Sequence, residues 1–231
     1  EFLRGRSLLE VLRRDGALPV HRALHVATQI CDGVGEAHAQ GVVHRDLKPE
    51  NVVLVSRARD PDFVKVLDFG IARVLWGDEV TQATQSGLVF GTARYISPEG
   101  AAGEATDARS DVYSLAVLAY QLLSGTTPFD APTPVAMLMK HIHAAPPHLL
   151  SQERARHVPE PVADVVMRAL GKNPEGRYAD AHAFGDALRG AAERAGFEVR
   201  ARRPVGRPSI TPARAPRPAR PAEPTPPMGQ A

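Results

Sequence analysis

The chain has 231 residues, of which 43% are hydrophobic and 23% charged, and its formal net charge is +2. This is an ordinary globular composition, long enough for one or two domains. The single cysteine, Cys31, excludes an internal disulfide. Because the sequence also shows neither a secretory leader pattern nor a run of eighteen apolar residues, we expect a reducing, cytoplasmic location.

Two helices are predicted in the first forty residues. Ser7 can cap a short helix that ends near Gly16, with a glutamate at the capping-box position three residues on. A longer helix begins at Val20, because apolar residues then recur at spacings of three and four. Gly41 suits the turn that ends it. Cys31 falls on its apolar stripe, which predicts a buried, inert thiol.

The most informative stretch is the octapeptide at residues 44–51, His-Arg-Asp-Leu-Lys-Pro-Glu-Asn. Two β-branched runs follow, at residues 52–55 and 64–67, and a polar stretch at 57–62 joins them. These runs predict two short strands that form a hairpin. The hairpin would carry the next tripeptide, Asp-Phe-Gly at 68–70, back beside the octapeptide.

A carboxylate, an ammonium and an amide would then share one loop, with a second carboxylate beside them. Asn51 and Asp68 offer the oxygen ligands that Mg²⁺ prefers, while phosphate oxygens fill the rest of its shell. Asp46 can orient an attacking hydroxyl and accept its proton, and Lys48 can offset charge on the moving phosphoryl group. The set suits phosphoryl transfer from a magnesium nucleotide.

These motifs resemble those of the eukaryotic-type (Hanks-type) Ser/Thr protein kinases found in bacteria. The catalytic-loop octapeptide and the Asp-Phe-Gly occur in the family's order and spacing. The resemblance implies an α+β, mainly α-helical fold: the C-terminal lobe of a protein kinase, with short β-hairpins at the catalytic cleft. It also implies ATP and Mg²⁺ (or Mn²⁺) as cofactors, and protein Ser or Thr hydroxyls as substrates.

The resemblance divides the chain. Residues 1–8 correspond to a remnant of the hinge between the kinase lobes, where the backbone of Glu1 and Leu3 would bind adenine, and 9–198 to the C-terminal lobe. Val53 would form the apolar floor beneath adenine, a role compatible with a plain core position. No counterpart of the small lobe's glycine-rich loop or strand lysine is found in the sequence. We therefore expect weak nucleotide binding and little turnover from the chain as written.

Further positions take architectural roles by resemblance. Arg177 would form a buried ion pair with Glu99, and Asp111 would accept backbone hydrogen bonds from the catalytic loop. His44 would pack beneath Phe69. The full set of structural positions is His44, Phe69, Gly70, Glu99, Asp111 and Arg177.

Residues 68–99 correspond to the activation segment, whose aperiodic middle predicts a mobile loop. Arg45 would meet a phosphate carried by this segment. At its far end Thr92 would bridge Asp46 and Lys48 through its hydroxyl. The candidate phosphorylation sites are Thr81, Thr84 and Ser86.

Three further helices are predicted. The stretch at 114–123 is apolar almost all round, as expected of a buried helix, and others span 134–143 and 159–170. His141 and His143 lie two residues apart without a third ligand at zinc spacing, so we predict surface histidines rather than a metal site.

The last residues, 199–231, predict a disordered basic tail rich in Pro, Arg and Ala. From Arg200 onward there are seven arginines and one acid, Glu223, a net +6, and the whole chain's +2 less this +6 leaves −4 for the remainder. A plain linker is the interpretation we favour. A ligand for Pro-rich-binding partners, or a contact to anionic lipid or nucleic acid without sequence specificity, remains open, as does membrane anchoring by a segment outside the chain.

Three functional classes are compatible with the motifs. The first is a Ser/Thr protein kinase, with a kinase homodimer for trans-autophosphorylation as one expected partner. A small-molecule phosphotransferase is set aside, because such enzymes lack the docking segment at 91–99 and its Arg177 partner. The third is a non-catalytic kinase-lobe fragment that acts as a scaffold or binding module.

Overall fold

A computed structural model of the chain describes residues 5–57, 60–68 and 92–199. This part of the protein is mainly α-helical, with one small antiparallel sheet of three strands. The predicted α+β, mainly helical class is therefore confirmed. Within these ranges, no helix combines the length and apolarity needed to cross a membrane.

Helix α1 (Leu8–Asp15) begins with the predicted capping box. The Ser7 hydroxyl accepts the N–H of Glu10 at 3.2 Å, and the Ser7 N–H donates to the Glu10 carboxylate at 2.8 Å. Both bonds satisfy backbone donors that a helix start would otherwise leave without a partner. The helix ends at Gly16, whose φ of 67° is in the left-handed region that glycine tolerates.

Helix α2 (Val20–His38) starts where the apolar periodicity predicted. Gly41, with a φ of 75°, donates its N–H to the carbonyl of His38 in the turn that ends the helix. Cys31 is 1% exposed, and burial raises the pKa of its thiol. The thiol is thus buried, as predicted.

The sheet has the order β1-β2-β3, with strands β1 (Arg6–Ser7), β2 (Val52–Arg57) and β3 (Asp60–Val66). Val52 pairs with Val66 in the antiparallel register. The hairpin is longer than predicted, because β3 begins within the stretch assigned to the turn. That part of the prediction was wrong.

Helix α2 supplies the reason for the longer strand. The Arg22 guanidinium donates two hydrogen bonds, of 2.8 and 2.9 Å, to the Asp62 carboxylate. The Gln29 side chain donates to the Asp62 carbonyl at 3.0 Å and accepts the Val64 N–H at 3.2 Å. The two Gln29 bonds satisfy backbone groups along an edge strand. Both Arg22 and Gln29 lie more than thirty positions before their partners.

Five more α-helices lie in the described residues: α3 (Pro98–Ala102), α4 (Ala108–Ser124), α5 (Pro134–His143), α6 (Glu160–Ala169) and α7 (Ala181–Arg194). Helix α4 is buried almost all round, as predicted. Helix α2 packs against α4, α7 and β3. This packing places residues 44–51, which connect α2 to β2, over the start of α4.

Candidate active site

One buried carboxylate holds the backbone of the loop at 44–51. Asp111, in the first turn of α4 and 1% exposed, accepts the N–H of His44 at 2.7 Å and that of Arg45 at 2.8 Å. Arg45 has a φ of 64°, which residues other than glycine rarely adopt. The two bonds stabilise this strained turn and so aim the next residue, Asp46.

His38 also binds Asp111, and sequence reasoning missed it. Its Nε2 lies 2.9 Å from an Asp111 oxygen, while its Nδ1 accepts the N–H of Ala181 at 3.2 Å. An accepting Nδ1 fixes the tautomer in which Nε2 carries the proton and donates. His38 thereby joins α2, α4 and α7 beneath the loop. The sequence signal was a polar ring on an apolar helix stripe, and its carboxylate partner lies 73 residues away.

Four predicted site residues meet at this loop. The Lys48 ammonium donates to Asp46 Oδ2 at 2.7 Å and to the Thr92 hydroxyl at 3.1 Å. The Asn51 amide nitrogen donates to the Asp46 carbonyl at 2.8 Å and to its Oδ2 at 3.2 Å. Lys48 therefore makes the link between Asp46 and Thr92 that was predicted for the threonine hydroxyl. The result is a carboxylate oriented by two donors.

The hairpin brings Asn51 and Asp68 to the same end of its two strands. The Leu67 N–H donates to the Asn51 carbonyl at 2.8 Å, so Asp68 is one residue beyond that contact. Asp68 is exposed and has a φ of 51°. Because Asn51 donates through its amide nitrogen, its side-chain oxygen remains for a cation. An amide and a carboxylate oxygen suit Mg²⁺ chemically.

Val53 lies on the sheet face away from the core. Its neighbours Val52 and Leu54 are buried, whereas Val53 is only partly covered. An apolar side chain with one open face fits the predicted adenine floor, which stays a prediction.

The predicted pair between Arg177 and Glu99 is present. The two guanidinium Nη atoms each donate to a different carboxylate oxygen at 2.8 Å, and the arginine side chain is 0% exposed. Burial by itself would raise the pKa of Glu99, but hydrogen bonds from Arg177 and Ser110 outweigh it and hold that pKa below its ordinary value. The pair ties α3, at the end of the activation segment, to the turn after α6.

The prediction that His141 is a surface histidine was wrong. The ring is 0% exposed, its Nδ1 lies 2.9 Å from the Tyr113 hydroxyl, and it packs edge-on against Phe129. Burial, followed by the charge of a nearby lysine, lowers the pKa of His141 to about 4. The physical reason is its position four residues after buried Met137, on the inner face of α5. His143 is exposed, as predicted.

Several predicted positions lie outside the described residues, and their roles stay predictions. They are Glu1, Leu3, Phe69, Gly70, Thr81, Thr84, Ser86 and the tail from Arg200. His44, whose packing partner was predicted to be Phe69, is 0% exposed, with its Nε2 3.0 Å from the Leu67 carbonyl.

Comparison with known proteins gives one consistent family. Residues 1–187 match the protein kinase domain family. The serine/threonine-protein kinase pkn3 of Myxococcus xanthus is 40% identical over 185 residues, which cover 80% of this chain and 34% of that protein. The serine/threonine-protein kinase PknB of Mycobacterium leprae is 38% identical over 178 residues, covering 77% of this chain and 27% of that protein. The chain therefore spans about a third or less of the length of these curated relatives.

The solved structures agree. The crystal structure of the PknI kinase domain of Mycobacterium tuberculosis has a TM-score of 0.59 and 28% identity to this chain, covering 83% of it and 64% of the PknI chain. A double mutant of the same kinase domain gives a TM-score of 0.61 at 27% identity, with the same coverage.

Proposed function

The chain belongs to the protein kinase family, and on that premise we propose that it carries the catalytic residues for transfer of the γ-phosphate of Mg·ATP to Ser or Thr hydroxyls of proteins. The observation that carries this proposal is the cluster of Asp46, Lys48 and Asn51. The Lys48 and Asn51 side chains each donate to the Asp46 carboxylate over distances of 3.2 Å or less. Asp111 holds the backbone of this loop through a hydrogen bond.

Asp46 is the proposed base. Lys48 and Asn51 both donate to its Oδ2, which fixes the carboxylate plane and leaves it 27% exposed to an incoming hydroxyl. A positioned carboxylate orients the nucleophile and accepts its proton as the bond to phosphorus forms. Lys48 is proposed to offset the negative charge on the phosphoryl group during its transfer. Its ammonium lies beside the proposed base, between Asp46 and Thr92.

Asn51 and Asp68 are the proposed Mg²⁺ ligands. A bound Mg²⁺ would neutralise phosphate charge and orient the transferred group. The chain's own contribution is to hold one amide and one carboxylate at the same end of the β2–β3 hairpin. We propose control by phosphorylation of the activation segment, at Thr81, Thr84 or Ser86, with Arg45 as a cation that receives the phosphate.

A non-catalytic role is the second candidate. The sequence contains no G-x-G-x-x-G loop to cover nucleotide phosphates. Without such a loop, these 231 residues would contact ATP chiefly through the catalytic loop at residues 44–51. We therefore expect weak nucleotide binding by this chain alone, and a scaffold or binding role would require no more than that.

Phosphoryl transfer measured with radiolabelled Mg·ATP and a basic protein tests the proposal. Asp46→Asn should abolish transfer, whereas Asp164→Asn, at an exposed carboxylate of α6, should leave it unchanged. Calorimetric titration with Mg·ATP tests binding separately. Transfer that persists in Asp46→Asn would refute Asp46 as the base. Absence of transfer by folded, unaltered chain at Mg·ATP concentrations that saturate it in the calorimetric titration would favour the scaffold role.

A further inference from the structure

A groove lies on the protein away from the catalytic loop. It encloses about 850 Å³ between α2, the first residues of β3 and the segment that follows α7. Its charged lining consists of Arg22, Asp60, Asp62, Glu193 and Glu198. Four carboxylates against one guanidinium make the groove acidic, with a formal charge of −3 when its histidines are neutral.

The acidic groups form two layers. Asp60 and Asp62 lie at the base, where His25 is 2.9 Å from Asp60 and Arg22 binds Asp62. The hydrogen bonds from Arg22 lower the pKa of the Asp62 carboxyl, so that it stays ionised. Glu193 and Glu198 are exposed at the rim. An incoming cation would therefore meet the rim carboxylates first.

The chain itself enters this groove as it leaves α7. Gly196, with a φ of 79°, donates to the Glu193 carbonyl, and the Phe197 N–H donates to the Ala192 carbonyl at 2.9 Å. This turn reverses the chain, so that Phe197 and Val199 pack against the core and line the groove. The next residue along the chain is Arg200, the first arginine of the basic tail. The described part of the chain therefore ends at an acidic groove, directly before the tail arginines.

We propose that residues 200–207 bind back in this groove and strap α7 to the β2–β3 hairpin. This stretch carries Arg200, Arg202, Arg203 and Arg207, and no acidic residue precedes Glu223 in the tail. An extended chain advances by about 3.3 Å per residue, so eight residues reach about 26 Å and can cross to β3.

Residues 200–207 are covalently linked to the groove through Val199, so weak contacts are sufficient for them to bind there. Exposed ion pairs are individually weak and are screened by salt. A ligand attached to its own site, however, binds at an effective concentration in the millimolar range. The strap would brace the hairpin that carries Asn51 before β2 and Asp68 after β3, so it would connect the tail to the candidate active site through one rigid element.

Disulfide trapping in the full 231-residue chain tests the strap. Cysteines replace His21, an exposed groove residue, and Ser209, just beyond the proposed strap, while buried Cys31 stays in place. The rate of intramolecular disulfide formation is measured in a fixed glutathione buffer at low and high salt. We expect at least a roughly fivefold slower rate at about 0.5 M salt than at about 0.05 M salt.

Charge reversal provides the matched controls. Glu193→Lys with Glu198→Lys should slow trapping at least about fivefold, and adding Arg202→Glu with Arg203→Glu should restore it. Neutralising Arg214, Arg217 and Arg220, which follow the strap, should leave the rate unchanged.

Equal trapping rates in all variants and at both salt concentrations would overturn the proposal, because the tether alone would then explain the proximity. The proposal would also be overturned if the chain binds phosphatidylserine vesicles and the trapping rate does not change when the groove charges are reversed. The tail arginines would in that case belong to a membrane surface.

Discussion

Replacing Arg177 with methionine removes the cation that neutralises a buried carboxylate. All five N–H groups of the guanidinium are used: two bonds go to Glu99, and one each to the carbonyls of Gly171, Arg109 and Lys172. Methionine retains much of the volume and none of the donors. The variant therefore leaves the Glu99 side chain, which is 7% exposed, without the cation that holds its pKa down and without its bidentate partner.

The expected loss of unfolding free energy is large. Breaking a buried ion pair by removing one partner costs about 3–5 kcal/mol, and each carbonyl left without a donor adds up to about 1 kcal/mol. With three such carbonyls we expect a total of about 3–8 kcal/mol, a substantial part of the roughly 5–15 kcal/mol that holds a typical domain together. Glu99→Gln should cost less, about 2–3 kcal/mol, because the guanidinium keeps its three carbonyls and one acceptor oxygen on the side chain at position 99.

Urea unfolding followed by circular dichroism at about pH 7 measures these losses, and Arg156→Met, at an exposed arginine, serves as the control. The double variant Glu99→Gln/Arg177→Met should lose less than the sum of the single losses, because neither buried charge is then left without its partner. A loss below about 1 kcal/mol for Arg177→Met, or strict additivity in the double variant, would refute the reasoning.

His141→Phe should reduce the loss of unfolding free energy that occurs as the pH falls from 7 to 5. The pKa of His141 is lowered to about 4 in the fold, so below the unfolded value near 6.5 the unfolded chain binds the extra proton, and stability should fall by about 2 kcal/mol between pH 7 and pH 5. An equal fall in the variant, measured by urea unfolding, would contradict this. Asp111→Asn sets an amide donor against the N–H of His44 or Arg45; hydrogen exchange at those two amides should accelerate more than about tenfold, and unchanged protection would exclude Asp111 as the anchor. Ser7→Ala should cost about 1 kcal/mol through the lost helix cap, whereas Ser7→Asp, which keeps an acceptor, should retain most of it; equal urea midpoints for wild type and Ser7→Ala would count against the cap.

Much of the local structure could be predicted from the sequence. The capping box that starts α1, the start of α2 at Val20 and the bounds of α5 (Pro134–His143) all follow from residues within a turn or two of each other. The chemistry of the site was equally visible, because Asp46, Lys48 and Asn51 occupy a single octapeptide. Their contacts with one another lie within that octapeptide.

The tertiary structure decided what depends on partners far along the chain. Asp62 joined a strand instead of a turn because Arg22 and Gln29 on α2 bind it. The importance of His38 appeared only when α4 placed Asp111 against its ring.

Burial was decided in the same way. His141 became a core residue because α5 turned that face inward against Tyr113. Helix and cap signals act over about four residues, whereas partner choice and burial depend on which surfaces meet after the chain has packed. The sequence alone therefore determined most of the helix positions and which residues make up the candidate site, and packing determined which side chains hold that site in place.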